Sequence, residues 1–569
     1  MMTGAAELLH RHPELALFLT LLFGTIIGRF HVKAFGLGSV VGSLIVGLII
    51  GIFARPELPQ LMRWAFFYLF LFAIGYSVGP QFFGSLRKEA LPQLVLAVTL
   101  GLTGLATTLA VSIVLDFDEG TAVGVLSGAL TQSAALGTGL NAIAGLPIPE
   151  DLKAKLSGAA PLADAITYVF GDLGLILIIT VIGPLLMRAD LKAEAKALEL
   201  KLSGGRPADT LLAGRFIGLR GYQVANSAIS GLSVEEVEQK YADGRLSVQR
   251  LRRGSALLDV TPDARIQLGD RLVVAAQRAT LARAEQEIGP EIDDPDLLAV
   301  PLKSAAVVVT SRTAGGKTIA ELAADRQVVR GIYLESIKRG EEVLPRQMGT
   351  VVERGDVIRI VGAPADVDRA ASRLGFVERD LTKTDVTFLA AGISCGILLG
   401  LVVINFKGIP LGLGAAGSIL VVGLIAGWAR SRYPVFGSIP EAAQRVLADI
   451  GLIVFIAIIG LQAGPHALEA YQQRGSAFFA SIFLGGMVVT VVPPLVTLLV
   501  ARFALKMSPL MILAGLCGAQ TVTPALNALR EASGSNVATL GYTVPYAIGN
   551  ILLTIWGPIV VAIIHFVRG

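Results

Sequence analysis

Two stretches put hydrogen-bonding side chains where the chain around them is apolar. LTQSAALGTGLNA starts at Leu130 and AQTVTPALNA at Ala519, so Thr131, Gln132, Ser133 and Asn141 are answered by Gln520, Thr521, Thr523 and Asn527. A second repeated motif follows each: YVFGD from Tyr168 and YAIGN from Tyr546, with Asp172 in one copy and Asn550 in the other. Hydroxyls and amides are donors and acceptors rather than acids or bases. At membrane depth their use is to hold a polar solute, and a membrane-embedded carboxylate such as Asp172 is a functional candidate by default. It could meet a substrate ammonium or carry a proton, or simply bond a neighbouring helix. Tyr168 and Tyr546 are candidate walls. No HxxxH or HExxH occurs in the chain, and no enzyme, metal or cofactor is expected.

Composition says what must position them. Of 569 residues 53% are hydrophobic and 16% charged, against roughly 25% charged in soluble domains. The mean hydropathy is +0.67. This is the composition of a polytopic membrane protein, and 64 glycines suit close helix packing. A net charge of +4 gives no reason to propose nucleic acid, and Cys395 and Cys517 stand too far apart in apolar segments to suggest a disulfide framework. The run Leu15 to Ile27 reads as a first span rather than a cleaved leader.

The chain is organised as two apolar halves around a polar middle, with expected boundaries of 1–190, 205–290, 293–378 and 383–569. The halves repeat: GLGSVVGSLIVGLIIG from Gly36 matches GLGAAGSILVVGLIAG from Gly412, and GYSVGP from Gly75 matches GLQAGP from Gly460. Duplicated halves mark many secondary transporters, whose site lies between the repeats near the midplane. If the fifth apolar segment of each half enters and leaves on one face, Arg29, Lys33, Arg87 and Lys88 share the side of the polar middle. The positive-inside rule favours that arrangement, although Arg55 and Arg63 count against it. Five crossings per half invert one half relative to the other. Re-entrant tips from the two faces would then meet near the centre, where helix N-termini favour a carboxylate. Gly75, Gly79, Pro80, Gly460, Gly464 and Pro465 are expected to bend or interrupt the third span of each half, turning Ser77 and Gln462 toward the cavity.

The polar middle reads as two related α+β domains, each with a late GD before an alternating strand: IQLGDRLVVAA from Ile266 and VVERGDVIRIVGA from Val351. SRTAGGKT from Ser311 misses the first glycine of a phosphate-binding loop and reads as a turn opening the helix TIAELAAD.

FAIGYSVGPQFF, LTQSAALGTGLNA and YVFGD, with the divided insert, resemble the aspartate:alanine exchanger family over nearly the whole chain. The central pair resembles the TrkA-C regulatory domains of potassium channels and transporters. The resemblance implies a polytopic α-helical protein of the bacterial inner membrane: two inverted repeats of about five spans plus a re-entrant or broken segment each, with two small α+β cytoplasmic domains between them. It further implies electrogenic exchange of L-aspartate for L-alanine. We expect elevator-like motion, a homodimer, contact with membrane lipid and an unidentified small ligand on the central domains. The alternatives are a dicarboxylate (succinate) exporter of the same family, or a cation channel or transporter regulated by the central domains.

Overall fold

The computed structural model describes residues 4–568 apart from 30, 33–34, 37, 85–89, 203–216, 242–245, 259, 341, 379–383, 403, 407–408, 412–413, 433–436 and 438. Lys33, Arg87 and Lys88, the ends expected at 205 and 383, and the first residues of the Gly412 motif lie outside the described residues. Two compact units divide the chain, 1–196 with 380–569 and 197–379.

The first unit is helical, because a chain in hydrocarbon must satisfy its backbone within each segment. Its first half contains α1 (Pro13–Gly28), α2 (Gly38–Ala54), α3 (Gln60–Gly84), α4 (Leu91–Val114), the short α5 (Glu119–Ala129) and α6 (Ser133–Ala144), and α7 (Glu150–Leu177), which runs on through a π turn to Met187. The second half repeats the order with α8 (Val386–Gly400), α9 (Gly414–Arg432), α10 (Glu441–Glu469), α11 (Gln472–Ala504), α12 (Pro509–Ala519), α13 (Thr523–Ser533) and α14 (Thr539–Arg568). The helical run through α10 and α11 is broken at Gly475, with φ 66° and ψ −177°.

The paired short helices answer the topological question. α5 has 11 residues, about 16 Å at 1.5 Å per residue, roughly half of the ~30 Å hydrocarbon core. α6, α12 and α13 are of the same size, with 12, 11 and 11 residues. Each pair is a hairpin that turns back partway. Among the described residues seven helices are long and apolar enough to cross, and α1, α2 and α8 are shorter apolar helices of 16, 17 and 15 residues; together they give five segments beside each hairpin, an odd number that inverts the repeats.

The third-span glycines do not interrupt the helix. α3 runs unbroken through Gly75, Gly79 and Pro80, and α10 through Gly460, Gly464 and Pro465. A β-carbon on Gly75 would lie 2.5 Å from the Leu420 carbonyl of α9, and one on Gly464 would lie 2.5 Å from the Leu48 carbonyl of α2. These residues let the third span of one repeat close on the second span of the other, the small-residue packing that joins helices where the hydrophobic effect cannot. The expected interruption is corrected accordingly.

The second unit holds two five-stranded sheets of the same topology. β1 (Ile217–Gln223), β2 (Ser247–Arg253), β3 (Ala256–Leu258), β4 (Arg271–Gln277) and β5 (Glu291–Ile292) are ordered β3-β2-β4-β1-β5. β6 (Lys303–Val309), β7 (Ile332–Arg339), β8 (Glu342–Val343), β9 (Val357–Gly362) and β10 (Gly375–Glu378) are ordered β8-β7-β9-β6-β10. The GD motif is a clasp in both. Asp270 accepts from Arg253 at 2.9 and 2.8 Å, and Asp356 accepts from Arg339 at 2.8 Å through both oxygens. Each aspartate also accepts the backbone N–H three residues before it, at 2.7 Å. SRTAGGKT leads into the helix Ile319–Ala324, whose N-cap Thr318 forms a capping box with Glu321. Glu238 and Arg330 form a two-pronged ion pair, at 2.8 and 3.0 Å, between the two sheet domains.

Candidate functional site

The hairpin tips meet. Thr131 in the α5–α6 turn shares its hydroxyl proton between the Leu130 carbonyl at 2.8 Å and the Gln520 carbonyl of the α12–α13 turn at 3.1 Å, the second an acceptor 389 residues away in sequence. Elsewhere threonines do the ordinary thing: Thr99, Thr103 and Thr107 of α4 each bond the carbonyl four residues back at 2.7 Å. The contrast follows from conformation. Thr131 and Thr521 both have positive φ, 54° and 62°. A β-branched residue there is a genuine outlier, and such strain of about 1–3 kcal/mol collects at functional sites.

Around this contact lie polar atoms with nothing to bond. The Gln132 amide nitrogen and both amide atoms of Gln520 are buried and unpartnered. α6 and α13 start from these turns with no side-chain cap on Gln132 or Val522, so two helix N-termini converge with their first N–H groups free of side-chain acceptors. Ser133 is buried beside Gln132, with its side chain next to the Tyr168 hydroxyl. Thr523 pairs with the Tyr542 hydroxyl at 3.1 Å, and Tyr542 stacks on Tyr546 at 5.2 Å.

The YxxGD/N motifs carry the tips. A β-carbon on Gly171 would lie 2.4 Å from the Gly128 carbonyl, and one on Gly549 would lie 2.2 Å from the Ala519 carbonyl. Each glycine lets the last turn of the first hairpin arm rest on the final span of its own repeat. Asp172 and Asn550 are therefore neighbours of equivalent tip contacts, both buried. Asn550 donates to the Tyr546 carbonyl at 3.0 Å, whereas no partner is described for Asp172. One turn below the level of Tyr168, the buried Asp164, the other carboxylate that the sequence places in the last apolar segment of the first half, accepts from Ser127 of α5 at 2.5 Å.

Other expected residues fall elsewhere. Asn141 is eight residues along α6 from Ser133, about 12 Å from the tip at 1.5 Å per residue, and it lies against the start of α9 near Gly414. It is not at the tip contact, because proximity in a motif is not proximity along a helix axis. Gln462 does turn toward a cavity, but one at the starts of α3 and α7, where it accepts from Arg63 at 2.9 Å. Ser77 is half-buried with no bond described. Asn527 is exposed on α13 and meets Arg530 at 3.2 Å. Arg63, which counts only as a topological charge in the sequence, was missed as a polar-cavity residue; its place in the first turn of an apolar helix was the available signal.

Inverted repeats whose opposed hairpins touch near mid-depth define a secondary-transporter class of integral membrane protein. Comparison with known proteins makes this specific. The chain belongs to the family described as Predicted Permease Membrane Region (Asp-Al_Ex), whose model matches residues 16–184 and 388–562, and residues 304–375 match the TrkA-C domain. It is 49% identical to an uncharacterized transporter of Bordetella bronchiseptica over 98% of both chains. Uncharacterized transporters of Bradyrhizobium diazoefficiens and Zymomonas mobilis are 39% and 35% identical, over 97% and 98% of each chain. No solved structure matches.

Proposed function

We propose that this transporter is a secondary-active antiporter exchanging L-aspartate for L-alanine across the bacterial inner membrane, with its central domains cytoplasmic. The observation that carries the reading is the convergence of two uncapped helix N-termini with the unpartnered amides of Gln132 and Gln520. Helix N-termini favour an anion, by about 0.3–1 kcal/mol each and up to ~2 when partly buried. Ser133, Thr521 and Thr523 supply hydroxyls. Asp172 receives the amino group common to both substrates, and its replacement by Asn550 in the other repeat orients an otherwise symmetric site.

The two hairpins differ in exposure. α6 is buried from Ser133 through Leu140, whereas Thr523 and Asn527 are exposed along α13. Polar side chains uncovered at this depth line water rather than lipid, so the site communicates with the face at which α13 ends. Alternating access then moves the hairpins with α7 and α14 against a frame of second and third spans, in a homodimer. Aspartate carries a net negative charge and alanine none, so the exchange is electrogenic and works against about 2.3 kcal/mol per 100 mV.

The test is labelled L-aspartate uptake into proteoliposomes loaded with L-alanine, L-aspartate, succinate or buffer, with and without a potassium diffusion potential. Uptake is expected only with an internal amino acid, and voltage dependence only for the heteroexchange. Uptake of labelled succinate in place of aspartate would make the protein a dicarboxylate transporter. Uptake indifferent to the internal solute would overturn antiport.

A further inference from the structure

We infer that the cavity at the starts of α3 and α7 is a carboxylate-binding subsite on the face opposite the one toward which the tips open, separate from the hairpin tips. Its role rests on the transport reading above, but its chemistry does not. The cavity has a volume of about 310 Å³ and takes its polar lining from Gln60 and Arg63 of α3, Glu150, Lys153 and Ser157 of α7, and Gln462 and His466 of α10. That volume is at the small end of the ~300–1,000 Å³ typical of small-molecule pockets.

The charges are arranged to receive an anion. Among the described residues Arg63 has no carboxylate partner. One guanidinium nitrogen donates to Gln462 Oε1 at 2.9 Å, and Gln462 is itself held by donating to the Leu58 carbonyl at 3.1 Å. The Nε of Arg63 is buried with no partner, and the guanidinium carbon lies 4.7 Å from the Trp64 ring centroid. Lys153 pairs with Glu150 at 2.9 Å, but Glu150 is 87% exposed and Lys153 18%, so solvent screens that partner and leaves the lysine available. His466 Nδ1 is buried without a hydrogen bond, 3.7 Å from Glu469. Two cations therefore face one water-screened carboxylate and one distant carboxylate. Leaving a guanidinium donor buried and unpaired in an apolar helix is costly. A carboxylate repays that cost, because the planar guanidinium matches it two bonds at a time.

Position makes this a separate site. The cavity also touches Leu140 and Ala144, the far end of the hairpin arm that starts beside Gln132. The eight residues between Gln132 and Leu140 span about 12 Å of helix, beyond the reach of one small amino acid. A solute held here is outside the tips, on the face where α6 ends and α7 begins, and contacts the arm that must move.

The full chain in phosphatidylcholine nanodiscs is titrated with L-aspartate, succinate and inorganic phosphate while intrinsic tryptophan fluorescence is followed. Trp64→Phe identifies the local signal, and Arg63→Gln, Arg63→Lys and Lys153→Gln test the cations. A saturable change with a carboxylate, lost in Trp64→Phe and weakened about ten-fold or more in Arg63→Gln, is expected from the loss of a charge-assisted hydrogen bond. Lys153→Gln weakens it several-fold, and Arg63→Lys less than Arg63→Gln. A signal indifferent to Arg63→Gln and Lys153→Gln, one seen with phosphate but not carboxylates, or one appearing only when phosphatidylglycerol is added overturns the inference. Carboxylate titration weakened by Arg63→Gln without aspartate–alanine exchange keeps the subsite and removes the exchange reading. Exchange with an unaltered KM and an unaltered Trp64 signal in both charge variants keeps the exchange and removes the subsite.

Discussion

Gly549→Ala tests the geometry of the tips directly. The added β-carbon would sit 2.2 Å from the Ala519 carbonyl oxygen and 3.0 Å from the Ala519 α-carbon, whereas non-bonded carbons are comfortable at about 3.5–4 Å. The hairpin backbone must therefore back away by roughly an ångström. Overpacking of this kind costs about 1–3 kcal/mol. Alanine returns about 0.8–1 kcal/mol of helix propensity, leaving a net destabilisation of about 0–2 kcal/mol. Gly101→Ala is the control: its β-carbon would approach only the Leu552 and Trp556 side chains, at 3.3 and 3.4 Å. There the propensity gain dominates, for a net stabilisation of up to about 1 kcal/mol. Thermal unfolding of the purified full-length variants is expected to lower the Tm for Gly549→Ala and to hold or raise it for Gly101→Ala. Exchange kinetics are expected to show a raised KM only in Gly549→Ala. Gly171→Ala, with its β-carbon 2.4 Å from the Gly128 carbonyl, should reproduce the effect from the other repeat. Equal Tm and KM for Gly549→Ala and Gly101→Ala would refute the close approach of hairpin and final span.

Other consequences are open to measurement. Gln520→Ala and Gln132→Ala are expected to raise the substrate KM about ten-fold in the exchange assay, since each removes a hydrogen bond to a charged solute; an unchanged KM would take the amides out of the site. With the exposed Cys395 replaced by serine, a cysteine at Asn527 should react with a membrane-impermeant maleimide, while one at the buried Leu136 should not; equal reaction would refute the one-sided opening. In the central unit Asp356→Asn leaves Arg339 buried without its counter-charge, with side-chain exposures of 2% and 13%. A loss of about 3–5 kcal/mol is expected from breaking such a pair, read as faster proteolysis of the central unit. Asp270→Asn should cost less, because its Arg253 partner is 37% exposed and better hydrated.

What the sequence discloses depends on whether a residue's meaning is local. The hairpins were legible because polar residues recur between apolar arms that are each too short to cross, and repetition in order marks the two halves. The sheet domains announce themselves through GD turns and capping residues that act within a few positions. The third-span glycines were not legible as packing residues. A glycine is required equally by a bend and by close approach, and the carbonyl that Gly75 approaches belongs to Leu420, in the other repeat. Arg63 was misjudged for the related reason that counting charges on a loop side takes no account of a partner 399 residues away. Asn141 shows the converse error, being close in the motif and distant along the axis.

The repeats share a frame but not its decoration. Between GYSVGP and GLQAGP the offset places Ala448 where the first repeat has Arg63, and the YxxGD/N pair places Asn550 opposite Asp172. An inverted repeat exchanges the conformations of its halves when it changes the face to which it opens. If both halves carried the same charges, the two faces would present the same chemistry to the same solute. Placing the cations Arg63 and Lys153, and the tip carboxylate Asp172, in one half alone lets a single symmetric movement present a solute with different charges at the two faces. The bond between Arg63 of α3 and Gln462 of α10 joins the two repeats across that cavity. A carboxylate arriving at Arg63 competes for the guanidinium at the seam between the halves, which couples occupancy of the cavity to the contact across which the repeats must rearrange.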